Sequence, residues 1–285
     1  MSTAPVTMKH ALESGAAFLE TREISEPRLK CELLAARLLA CPRLELYMRF
    51  DHILSEPHVA AMRRGIKRLA TGEPVQHILG EVTFHGHRFK VDPRALIPRP
   101  ETEVLVQAVL DWEGLNDDAL VVDVGTGSGC IVISLALARP NLRCVGLDVS
   151  EDALALARDN AAALGIDSRV AFARADLSDC VDPESVDVIV ANLPYIASEA
   201  CDDLPRDVRE HDPRTALDGG PDGLDIIREV VPDAAIALRH GGGIFLEIGA
   251  TQAAAVRGIL EGEGFTGVTI NQDLAGRDRI AVGTI

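Results

Sequence analysis

Aromatic residues are scarce in this 285-residue chain, 4% in all with a single tryptophan. A core short of rings has to be filled by Leu, Val, Ile and Ala, and apolar residues together reach an ordinary 47%. Long hydrophobic runs are missing too. The longest, Cys130 to Ala138, is broken by Ser134 and is far too short to span a bilayer. The opening residues, MSTAPVTMKHALESG, lack a basic region followed by an apolar run, so no secretory signal is expected. Six cysteines, at 31, 41, 130, 144, 180 and 201, form no Cys-x-x-Cys pair. That argues against a zinc site and a disulfide framework, and for reduced thiols in a cytoplasmic protein.

Basic charge is the next shortage. Residues 1–93 hold 13 Lys and Arg against 11 Asp and Glu, whereas residues 94–285 hold 15 against 33. The first balance is +2, the second −18 and the whole −16. Binding a phosphate backbone requires neutralising it with Lys and Arg, so a direct nucleic-acid substrate is disfavoured. The one dense basic cluster is Arg63, Arg64, Lys67 and Arg68, on an expected helix. Such a cluster is usually a solvated face, and it can also meet a charged partner.

Residues 8–72 carry helical periodicity and no convincing strand. Leu29, Leu33, Leu34, Ala36, Leu38 and Leu39 mark one apolar face, opened by Ser25-Glu26-Pro27 and closed by Pro42. A further helix is expected from about Glu56 to Ala70, stopped by Gly72 and Pro74. Val82, Phe84, Phe89 and Val91 then alternate around His85-Gly86-His87, the pattern of a β-hairpin turning near Gly86. The two histidines have no third ligand nearby, so no metal site is expected. Two prolines in Ile97-Pro-Arg-Pro-Glu-Thr-Glu103 enforce an extended entry to a helix that starts at the acids and runs toward Trp112. From Leu120 onward strands and helices alternate. Strands are expected near 120–124, 144–148, 169–173, 187–191 and 243–248, with a closing antiparallel pair at 266–271 and 279–284. This is an α/β chain with a mostly parallel sheet covered on both faces. The expected division is a helical docking domain over 1–76, a hairpin linker over 77–97 and the α/β domain over 98–285.

The first α/β strand ends in Asp123-Val-Gly125-Thr126-Gly127-Ser128-Gly129 and is followed directly by a helix from Cys130. Glycines at alternate positions let the backbone turn sharply and approach a ligand, with helix N–H groups aimed at it. The dinucleotide fingerprint fails, because Cys130 and Val132 stand where its last glycine would fall. No Gly-Lys-Ser/Thr follows, which excludes a P-loop. Asp148, at the tip of the second strand, can accept both hydroxyls of a ribose. Beyond the third strand, Asp176 can bond an adenine amino group and Leu177 can pack on its face. The ligand these residues suit is a single nucleoside without a pyrophosphate.

At the fourth strand the run Asp187-Val-Ile-Val-Ala191 stops at Asn192-Leu193-Pro194-Tyr195. Pro194 cannot donate to a strand ladder, so it ends the pairing. An amide side chain, main-chain carbonyls and a ring remain at the carboxyl edge of the sheet, where open α/β folds bind ligands. The corner suits a flat amide or amine, its N–H groups accepted by Asn192 and a carbonyl and its face covered by Tyr195. Read alone, it is equally a tight turn with an aromatic plug.

These residues resemble the S-adenosylmethionine-dependent methyltransferases of Rossmann-like fold. Asp123-x-Gly125-x-Gly127-x-Gly129 is similar to their first motif, and Asn192-Leu-Pro-Tyr195 to the Asn-Pro-Pro-Tyr corner of those that methylate planar nitrogens. Within that group the chain looks most like the PrmC/HemK family of release factor glutamine N5-methyltransferases. The match extends over the helical N-terminal part, the hairpin, Ile97–Glu103 and Asp218-Gly-Gly-Pro-Asp-Gly-Leu224. One departure is that Leu193 replaces the family's first proline.

The resemblance implies a seven-stranded sheet, mostly parallel with its last strand antiparallel, and S-adenosylmethionine as cofactor, leaving S-adenosylhomocysteine. It implies cofactor contacts from Gly125, Thr126, Gly127, Ser128, Gly129, Asp148, Asp176, Leu177 and Asn192. It implies catalytic roles for Asn192, Leu193, Pro194 and Tyr195, and a substrate glutamine in the Gly-Gly-Gln loop of class I release factors. A monomer with no membrane association is expected. Two rivals share the site: a DNA or RNA adenine N6-methyltransferase acting on a flipped base, and a cofactor-binding protein impaired in catalysis.

Overall fold

The computed structural model describes residues 5–175 and 181–285, and the chain forms two compact units. One runs to Gly80 and takes in Pro205–His211; the other comprises Glu81–Leu204 and Asp212–Ile285. Asp176, Leu177 and Cys180 lie outside the described residues.

The first unit is helical. Helices α1 (Met8–Glu20), α2 (Pro27–Leu38), α3 (Glu56–Ala70) and α4 (Val75–Leu79) enclose a core of Leu12, Leu19, Leu34, Met62 and Leu69, among others. Thr7 and Ser55 cap α1 and α3 by accepting main-chain N–H bonds, which satisfies donors the first turn leaves open. At α2 the residue before the helix is Glu26, in a left-handed conformation without a side-chain cap bond, and Pro27 supplies the fixed φ of the first turn instead. Residues 75–79 are helical where a hairpin linker was expected to begin.

The second unit opens with the hairpin β1 (Glu81–Phe84) and β2 (His87–Lys90), turning at His85-Gly86 with both residues at positive φ. Phe84 and Phe89 meet edge-on and are fully buried in this unit's core. After α5 (Thr102–Leu110) come β3 (Leu120–Val124), α6 (Cys130–Ala138), β4 (Arg143–Asp148), α7 (Glu151–Ala163), β5 (Val170–Arg174) and β6 (Val186–Ala191). The short α8 (Arg206–His211) belongs to the helical unit, where Asp207 pairs with Lys30 at 3.2 Å. The chain ends with α9 (Asp225–Ala237), β7 (Leu238–Glu247), α10 (Ala253–Gly262), β8 (Thr266–Gln272) and β9 (Asp278–Thr284).

The seven strands from β3 to β9 lie in the order β5-β4-β3-β6-β7-β9-β8. All pairings are parallel except the two made by β9, the last strand. One apolar cluster, with α5 and α6, lies on one face of the sheet, and a second, with α9 and α10, on the other. Every residue of β6 is buried, which is why that strand reads as a continuous apolar run. Its exception, Asp187, accepts the Leu120 N–H at 2.6 Å and pairs with Arg239. Order reverses between β3 and β6, so the carboxyl ends of those strands open onto the crevice where such sheets bind ligands. Among the described residues no helix is long and apolar enough to cross a membrane.

Candidate active site

The loop after β3 is held from beneath by Asp123. Its carboxylate accepts the Thr126 hydroxyl at 2.6 Å, and the group is fully buried. Burial pushes the Asp123 carboxyl up to about 7, against the pull of the Thr126 hydroxyl and the Val132 amide. The loop is also stitched sideways, through the Thr126 amide to the Leu147 carbonyl at 2.8 Å. Gly125, Gly127 and Gly129 all adopt positive φ, which side chains with a Cβ resist. At Gly129 space is a second constraint, since a Cβ there would stand 2.8 Å from Ile133 Cδ1 and 3.1 Å from Ala157 Cβ. At Gly127 a Cβ would meet only ordinary contact, 3.8 Å from Ala95 Cβ, so here it is the positive φ that calls for glycine, at a residue that lines the cavity.

Asn160, buried toward the C-terminal end of α7, donates to the Ser128 carbonyl at 2.9 Å and accepts the Lys90 N–H at 2.7 Å. It ties the loop to the hairpin. Sequence reasoning missed it, although asparagine disfavours a helix interior and its presence there was a signal.

The cavity, about 400 Å³, is of a size usual for small-molecule sites. Its wall includes Gly125 to Ser128, Asp148, Ile97, Thr102 and Asn192 to Pro194. Asp148 takes the Gly127 N–H at 2.9 Å on one oxygen and the Ser150 N–H at 2.8 Å on the other. A carboxylate oxygen accepts more than one bond, so both remain able to accept ribose hydroxyls. The glycine loop at the wall, the fixed carboxylate and the volume together fit a nucleoside. Two arginines at the cavity wall are already committed: Arg94 to Asp92 and Asp159, and Arg99 to Asp212 at 2.6 Å.

At the tip of β6, Asn192 donates from Nδ2 to Thr102 Oγ1 at 3.1 Å. Thr102 in turn donates to Glu247 Oε2 at 2.7 Å, and the Tyr195 hydroxyl donates to Glu247 Oε1 at 3.2 Å. Burial, the larger influence, pushes Glu247 up; the bonds from Thr102 and Tyr195 and the charge of Arg279 pull it down. Burial also raises the Tyr195 phenol, helped by the Glu247 charge. Tyr195 thus faces Glu247 with its hydroxyl, while Asn192, Leu193 and Pro194 line the cavity. Thr102 and Glu247 were not singled out from the sequence. The signal for Glu247 was an acid at the carboxyl end of an apolar strand.

Leu193 is 5% exposed and packs in the cluster that holds Val124, Leu147 and Ile248. Asp218–Leu224 presses on the same corner from behind. A Cβ at Gly219 would lie 2.5 Å from the Pro194 carbonyl oxygen, and one at Gly223 would lie 2.3 Å from that of Tyr195. Both neighbours are backbone, so only glycine fits. Gln252 Nε2 donates to the Tyr195 and Gly223 carbonyls and closes the contact.

This strand order, with a triple-glycine loop after β3 and an acid at the tip of β4, defines an S-adenosylmethionine-dependent methyltransferase. Residues 10–80 match the PrmC N-terminal domain family and residues 115–237 match a methyltransferase domain. The release factor glutamine methyltransferase of Chlorobaculum tepidum is 39% identical over 277 residues, 94% of either chain. That of Geobacter sulfurreducens is 39% identical, covering 98% of this chain and 97% of the other. That of Caulobacter vibrioides is 37% identical, covering 93% and 92%. The chain belongs to the release factor glutamine methyltransferase family.

Proposed function

We propose that this enzyme, acting as a monomer, methylates the side-chain amide nitrogen (N5) of the glutamine in the Gly-Gly-Gln loop of class I release factors. One observation carries the reading: the Asn192-Leu193-Pro194 corner, the glycine loop and Asp148 all line one cavity. The names of the relatives support the substrate class. Gly125 to Gly129 and Asp148 would hold the cofactor, with Asp176, Leu177 and Asn192 completing the set. When bound, S-adenosylmethionine supplies an electrophilic methyl group on a sulfonium.

The chain has to compensate for a poor nucleophile. An amide nitrogen has its lone pair delocalised, and positive charge grows on it as the new bond forms. Asn192 Oδ1 and the Leu193 main-chain carbonyl accept its two N–H bonds and stabilise that charge most at the transition state. The same two bonds aim the nitrogen, and Pro194 and Tyr195 keep the corner rigid and cover the amide. No strong general base is needed, because the proton becomes acidic once transfer is under way. Acting on a flipped adenine would ask for a basic surface, and Arg94 and Arg99 already serve acids of this chain.

The test is transfer of labelled methyl to a purified release factor, beside the same factor with Gly-Gly-Ala and a DNA duplex. Label confined to the native factor is expected. Label on DNA gives the case to the base-methylating rival, and cofactor binding with no label on anything gives it to the impaired binding protein. In the helical unit Arg63, Arg64, Lys67 and Arg68 are exposed on α3, and Arg68 pairs with Glu73. Changing all four to Gln is expected to raise KM for the release factor about tenfold at low salt with kcat unchanged, as a rim charge does. An unaltered KM removes the cluster from docking.

A further inference from the structure

The geometry points to Thr102 as a positioning residue that, anchored on Glu247, fixes which end of the Asn192 amide faces the substrate. This rests on the reading that Asn192 Oδ1 is an acceptor for the substrate N–H. An amide side chain has an oxygen end and an NH₂ end of nearly equal shape, and nothing in its own bonding selects one. Reversed, Asn192 would present donors to the donors of the incoming amide, and the corner would repel what it has to hold.

Three bonds decide the orientation. Thr102 Oγ1 has a single hydrogen, and it goes to Glu247 Oε2 at 2.7 Å. Only lone pairs of Thr102 then face Asn192, so the group 3.1 Å away has to be a donor, Nδ2. That turns Oδ1 to the substrate side. Glu247 is the origin of this polarity. Its second oxygen is occupied by the Tyr195 hydroxyl, so an ionised carboxylate accepts from both neighbours and donates to neither. Thr102 and Glu247 are each 2% exposed, so water does not compete for these bonds. The groups around Glu247 are Arg279 on β9, Glu101 beside α5, Thr102 and Tyr195. Burial raises the Glu247 carboxyl and the Glu101 charge adds to it; the bonds from Thr102 and Tyr195 and the Arg279 charge favour the ionised form on which this polarity depends. The Pro100-Glu-Thr-Glu103 string thereby acquires two jobs, because Glu103 accepts the His85 N–H at 3.0 Å and holds the hairpin turn.

Thr102→Val keeps the shape and removes the hydroxyl. It is expected to lower kcat about 10- to 50-fold, with the cofactor Kd and the release factor KM within about threefold of wild type. Thr102→Ser restores the hydroxyl and is expected to recover kcat to within about threefold. The decisive measurement places the change in an Asn192→Ala background. A residue that acts only through Asn192 has nothing left to position there, so the double variant matches Asn192→Ala within about twofold. Equal losses in both backgrounds, or Thr102→Val at wild-type kcat, overturn the inference. Should Thr102→Val fail to fold, Thr102→Ala carries the same cycle. An Asn192→Ala enzyme with full activity would instead contradict the reading of the corner itself, so the two failures are distinct.

Discussion

Asn192→Ala lowers kcat for methyl transfer by about 10²- to 10³-fold, the cost of deleting one preorganised group that meets charge developing in the transition state. The side chain lines the cavity beside the glycine loop, held through Thr102 and Glu247. Truncation removes both the acceptor and the aim it gives the nitrogen. The cofactor Kd rises no more than about fivefold, because Asp148 and the loop are untouched and a group serving mainly the transition state shows itself in kcat. Single-turnover rates at saturating cofactor, set against calorimetric Kd values, separate the two effects. A large rise in Kd with the rate preserved would make Asn192 a cofactor contact and no more.

Asp148→Ala has the opposite signature. Its carboxylate is the one acid at the tip of β4, and it is fixed from both sides by the Gly127 and Ser150 amides. Losing charged hydrogen bonds to a ribose costs about 1.5–3 kcal/mol each, so cofactor Kd rises on the order of 10²-fold or more. The Gly127 N–H loses its anchor as well, which loosens the loop where it lines the cavity. At saturating cofactor, kcat stays within about fivefold of wild type, since Asp148 stands away from the corner that receives the nitrogen. Asp148→Asn keeps one oxygen and falls between. Calorimetric titration decides the matter: an unchanged Kd for Asp148→Ala would remove this residue from the cofactor site.

Much of this architecture was legible in the chain because its signals are local. Alternating glycines after an apolar strand force a turn wherever they occur, and here all three adopt positive φ. The seven strand segments fell within a few residues of their expected places, with β7 starting earlier, at Leu238 rather than 243. The Asn192–Pro194 corner was readable because a proline cannot donate to the ladder of a central strand, so one after an apolar run marks its end. What stayed hidden depends on contacts distant in sequence. Thr102 is 90 residues from Asn192, and Glu247 is 145 from Thr102, so no window of pattern joins them. Asn160, 70 residues from Lys90, was hidden for the same reason. Nor did Gly219 and Gly223 declare their purpose, since their neighbours are the carbonyls of Pro194 and Tyr195. Leu193, the departure from the family's proline, is buried in the same apolar cluster as Val124, Leu147 and Ile248, which its place in the sequence does not show.

The central claim is the atom that receives the methyl group, and tandem mass spectrometry of a class I release factor after incubation with enzyme and S-adenosylmethionine reads it directly. The account predicts a single added methyl on the side-chain nitrogen of the glutamine in Gly-Gly-Gln. A methyl on any other residue, or an unmodified factor beside an enzyme that binds the cofactor, would contradict it.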